Sequence, residues 1–132
     1  MLRTIQKDPA ADFASALSPD GTTYAISKGG EAEIHIRLLS LSGGSDREFT
    51  VKGSPSNAYS VDWSSDGKAF YVGSSSPQGR TLLYVDLKGN AHVLWQFKGR
   101  GGDIWGVPSP DGHYLAILDH AFNHNVWMLE GF

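Results

Sequence analysis

Apolar residues in this chain fall in short runs, broken every few positions by Gly, Pro, Asp and Ser. One set of runs is Phe13–Leu17, Tyr59–Trp63 and Ile104–Val107; a second is Thr23–Ile26, Lys68–Val72 and His113–Ile117. Runs this short, rich in aromatic and β-branched residues and bounded by turn formers, predict strands rather than helices. The two sets are joined by one tetrapeptide, Ser-x-Asp-Gly, at Ser18–Gly21, Ser64–Gly67 and Ser109–Gly112, at offsets of 46 and 45 residues. Glycine supplies the positive φ that closes a hairpin turn, Pro19 and Pro110 preset φ at the preceding corner, and the aspartate accepts bonds from turn amides. Asp20, Gly21, Asp66, Gly67, Asp111 and Gly112 are therefore read as structural turn residues, not catalytic ones.

A third strand follows in each unit and ends in Leu-x-Gly, at Leu41–Gly43, Leu87–Gly89 and Leu129–Gly131. Fourth strands are expected at Arg47–Gly53 and His92–Gly99. A hairpin repeated at this period, four strands to a unit, predicts an all-β chain of β-propeller blades. The third unit shows no fourth strand, whereas Leu2–Lys7 is a spare strand ahead of the first. The count is one, four, four and three strands, or three blades: a strand within 1–8 that completes a last blade, blades 12–53 and 57–99, and a partial blade 103–132. Propellers ordinarily need four to eight blades. The expectation is a six-bladed homodimer in which the first strand of one copy pairs with the last blade of the other; a nine-bladed trimer satisfies the same count.

Composition narrows the function. Of the 132 residues 40% are hydrophobic, enough for one folded domain and against disorder. A net charge of −3 with no basic stripe argues against nucleic acid as a partner. No run reaches the length of a membrane-spanning helix, and Met1–Lys7 lack the apolar stretch of a secretory leader. Without cysteine there is neither a disulfide nor a thiolate, which fits cytoplasm and periplasm equally.

Trp63–Phe70 and Pro108–Ala116 resemble the repeats of TolB-like bacterial β-propellers, a WD-repeat-like family, and Leu83–Gly89 resembles their third-strand signature. The resemblance runs from about Asp12 onward. It implies six blades and a role in interaction or sensing rather than a reaction. Asn125–Glu130 resembles the ends of long bacterial chains in which such a propeller follows a DNA-binding or kinase domain. The Gly-His and Trp-Asp dipeptides are missing at the places where eukaryotic WD repeats carry them, as is the sialidase box.

Candidate contacts lie just ahead of the innermost strands. Asp12 and Asp103 hold equivalent positions, and Asn57 stands beside Ala58, their counterpart in the middle unit. At a channel mouth these residues would bind a cation or a partner's basic group, or simply cap local amides. Trp105, with Tyr59 as its approximate counterpart, is the aromatic candidate at the same mouth. His120 and His124 are four apart but are expected in a loop, without the glutamate of a zinc-hydrolase motif. No nucleophile elbow or phosphate loop occurs. The expectation is thus a non-enzymatic scaffold for a protein or peptide, with no cofactor, metal or catalytic residue. The alternatives are a propeller fragment, natural or engineered, with only a self-assembly role, and a hydrolase or lactonase that depends on a channel metal.

Overall fold

The computed structural model describes residues 4–5, 12–29, 33–53, 58–99, 101–122, 128 and 130. It is all-β: the described residues form no helix, so none is long and apolar enough to cross a membrane. Ten strands are present: β1 (Asp12–Leu17), β2 (Thr23–Gly29), β3 (Ile34–Ser40), β4 (Arg47–Thr50), β5 (Ala58–Trp63), β6 (Ala69–Ser76), β7 (Gly79–Asp86), β8 (Ala91–Lys98), β9 (Asp103–Pro108) and β10 (Leu115–His120). They form two four-stranded antiparallel sheets, β1-β2-β3-β4 and β5-β6-β7-β8, and a β9–β10 hairpin.

The three Ser-x-Asp-Gly turns are built alike. Ser18, Ser64 and Ser109 each donate through Oγ to Oδ1 of the aspartate two residues on, at 2.6, 2.6 and 2.5 Å. The serine hydroxyl oxygens in turn accept the amides of Thr23, Ala69 and Tyr114. Each glycine amide returns to the serine carbonyl at 2.9 Å, with φ of 72°, 69° and 73°. That region is costly for any residue with a Cβ, which explains why glycine closes all three turns.

Sheet packs on sheet in sequence order. β1 lies against β5, and β5 and β6 lie against β9. Ala25, Ile36, Leu38 and Val51 of the first sheet meet Trp63, Phe70, Val72 and Leu83 of the second in one core. Trp63 and Phe70 are cross-strand partners with rings 4.3 Å apart, and Trp63 Nε1 donates to the Ala16 carbonyl at 3.1 Å. Burying one such aromatic side chain is worth about 1.5–3 kcal/mol. On the other face of the second sheet, Ser60 Oγ donates to the Ile104 carbonyl at 2.9 Å. A Cβ at Gly73 would stand 1.9 Å from that carbonyl oxygen, so only glycine lets β9 approach.

Several boundaries differ from the sequence reading. The second sheet's central hairpin continues through Ser76 and Gly79, paired across Pro77–Gln78, where the apolar pattern ends at Val72 and resumes at Leu82. Gly73–Ser76 look polar, yet Ser74 is buried and paired, and backbone pairing rather than hydrophobicity carries the strand there. His120 ends β10 opposite Asp103 instead of lying in a loop. The expected strand at Leu2–Lys7 falls outside the described residues except for Thr4 and Ile5, which are in no strand. The third strand expected at Val126–Met128 is described only at Met128, also outside any strand.

Candidate functional site

The strands β1, β5 and β9 begin at Asp12, Ala58 and Asp103; bulges put Asp12 and Ala58 level with each other, whereas Asp103, in an unbulged strand, stands one pair further along. Asp12 is opposite Lys28 and Asp103 opposite His120. Asn57 lies outside the described residues. Tyr59 sits at an irregularity between Ala58 and Ser60 and is partly exposed.

Trp105 and Tyr59 are not counterparts. Trp63 pairs with Phe70 and Pro108 with Leu115; three pairs further along, Ser60 faces Gly73 and Trp105 faces Leu118. The register thus sets Trp105 level with Ser60, each four residues ahead of its motif serine, while Tyr59 is the extra residue of a bulge with no level counterpart in β9. Gly106 is directed at Leu82 of the second sheet, where a Cβ would come within 2.9 Å. Its neighbours Trp105 and Val107 therefore occupy the hairpin face turned away from that sheet.

The strongest polar cluster at this end was not foreseen. Arg80, second residue of β7, is 1% exposed. Its Nε donates to Asp119 Oδ1 at 2.5 Å, its Nη2 to Asp119 Oδ2 at 3.1 Å and its Nη1 to the Gly101 carbonyl at 2.5 Å. The guanidinium carbon stands 4.4 Å from the centre of the Phe97 ring. The hydrogen bond to Asp119 raises the Arg80 pKa, burial opposes it, and the charges of Asp119 and Asp103 add to the rise. Asp103 thus sits in the field of a buried cation. Arg80 ties three elements together: β7, the end of β10 and the linker before β9.

The turn aspartates lie at the opposite end of the strands. Asp20, Asp66 and Asp111 are held below the usual carboxylate range, chiefly by the serine hydroxyl, then by a backbone amide. Asp62 is shifted the other way by burial.

This inventory offers little chemistry. Thr50 Oγ1 lies 3.2 Å from His35 Nδ1, but Glu48 approaches that same nitrogen at 3.9 Å, so no proton relay runs through the ring. Among the described residues no three His, Cys, Asp or Glu side chains gather as metal ligands. Repeat comparison would have flagged Arg80, because a long cation between Gly79 and Thr81 stands where the first unit has Ile34. No family model matches the chain, and no curated protein matches it.

Proposed function

We propose that the chain is a non-enzymatic scaffold of the TolB-like β-propeller kind, which closes its ring with a second copy of itself and offers the strand-start loops to a protein or peptide. One observation supports closure. Phe49 and Val51 of the first sheet are covered by the second: Phe49 stands 6.1 Å from Phe70, and Val51 is 1% exposed. Trp95 and Phe97 hold the same places in the second sheet and are 50% and 42% exposed. The described part of the next unit is a two-stranded hairpin, which packs on β5, β6 and β7.

Val107 and Leu118, on the far face of that hairpin, are also exposed, as is Leu17 on the first sheet. Apolar surface of this extent is the mark of an interface, and blades from a second copy are the occupant whose shape repeats what already covers Phe49 and Val51. Two three-blade chains give six blades. Asp103, Trp105 and Tyr59, with Asp12 at the equivalent strand start, are the residues proposed for partner contact. The closeness of Asp103 to Arg80 favours a second reading, in which the ring is structural and takes no ligand.

Mass in solution tests closure. Light scattering on a sizing column should give twice the 14.3 kDa of one chain at tens of micromolar. A 14.3 kDa species that persists across that range overturns the ring.

A further inference from the structure

A cleft of about 670 Å³ opens between the first two sheets at the turn end, far from the Arg80 cluster. Its origin is legible in the repeat. In the next gap the cross-strand pair Tyr71 and Tyr84 packs edge to face, with ring centres 5.6 Å apart. The same pair in the first gap is Ala25 and Leu38. The volume of two phenol rings is missing there, and Trp63 restores only part of it. The opening has the size of a small-molecule site.

The lining is polar at two ends and apolar between them. Asp20 and Asp66 reach the cleft from adjacent turns, with Pro19 Cδ 3.9 Å from where a Gly67 Cβ would stand. In both aspartates Oδ1 carries the turn bonds, and among the described residues no hydrogen bond engages Oδ2. At the other end is Arg47 of β4, fixed by one bond of 3.2 Å from Nη2 to the Leu87 carbonyl. Among the described residues its Nε and Nη1 make no hydrogen bond. Leu38, Trp63 and Leu87 form the floor.

We propose that this cleft binds a short zwitterionic peptide, with its ammonium at the free oxygens of Asp20 and Asp66, its carboxylate at Arg47 and an apolar side chain on the floor. Length decides between ligands. Asp20 lies in the turn that leads into β2, and β2 is two strand spacings from β4, which carries Arg47, about 10 Å between backbones. A single amino acid is too short to join the two ends, whereas two or three residues at about 3.4 Å each span them. The guanidinium is suited to bidentate carboxylate binding, and both ion contacts are charge-assisted. The site lies within one chain, so it stands whether or not the ring closes.

Calorimetry on the full chain with the tripeptide Ala-Leu-Ala tests this. Saturable binding is expected with a Kd at or below about 1 mM. Acetylating the peptide's amine or amidating its carboxylate should each weaken binding at least about tenfold, the loss of one charge-assisted contact. Leu38→Tyr, which places in the cleft the residue that fills the neighbouring gap, should abolish binding. Arg47→Gln, on an exposed strand position, should match the effect of the peptide amide and keeps the test open if Leu38→Tyr does not fold. No saturable heat with the free tripeptide, equal affinity for the blocked peptides, or unchanged binding by Arg47→Gln each overturns the proposal.

Discussion

Removing either partner of the Arg80–Asp119 pair should destabilise the protein, and unequally. Arg80 is 1% exposed at its side chain, Asp119 26%. Asp119→Ala strands a guanidinium that water barely reaches, with Asp103 as the remaining nearby anion. Breaking a buried pair in this way costs about 3–5 kcal/mol. Arg80→Met strands instead a carboxylate that water can partly solvate, and the methionine keeps much of the stem packing against Phe97. It also leaves the Gly101 carbonyl without its donor. That sum is about 2–3 kcal/mol, the lost hydrogen bonds setting the scale.

The assay is urea unfolding of both single variants and the double, read by tryptophan fluorescence. Asp119→Ala should be the more damaging by at least about 1 kcal/mol. The double variant should lie well above the sum of the singles, because removing the second charge relieves the first. Two small and equal losses, or strict additivity, would refute the view that Arg80 holds the β9–β10 hairpin to the second sheet.

The pair Asp62 and Gly73 gives two further outcomes. Burial raises the Asp62 pKa above its ordinary 3.8, so its ionised form costs stability in the native state. That cost is absent below 3.8 and grows as pH rises through the raised value. Asp62→Asn should therefore stabilise the protein at pH 7 and leave it unaltered near pH 3, as measured by thermal melts at both; stabilisation at pH 3 alone would reverse the sign. Gly73→Ala puts a methyl group where 1.9 Å separates it from the Ile104 carbonyl, which should cost more than about 3 kcal/mol by urea titration and loosen β9 in hydrogen exchange.

The turns and most strands could be read from the sequence because their causes are local. A serine, an aspartate two residues on and a glycine after it contain the whole hydrogen-bond scheme of the hairpin. Gly73–Ser76 could not be read as strand, since its pairing partners Gly79–Leu82 impose it from across the hairpin. The partner of Arg80 was hidden for a related reason. Asp119 lies 39 residues away, and nothing near either residue marks them as partners. Pairing Trp105 with Tyr59 follows their aromatic character, whereas counting four residues back from Ser109 and Ser64 sets Trp105 level with Ser60. The cleft was open to discovery by aligning Ala25 and Leu38 with Tyr71 and Tyr84, a comparison of side-chain volume that a search for chemical motifs passes over.

Because every bond of the Ser-x-Asp-Gly turn closes within six consecutive residues, a unit carries its own corner with it when copied. Duplication of such a segment yields a correctly folded hairpin at once, before any face has adapted to its new neighbour. Selection is then free to work on what the corner does not specify. The first gap could lose its aromatic fillers while the second kept them, and the second sheet could take a buried arginine where the first has isoleucine. Invariance in the turns is what lets the surfaces between units diverge.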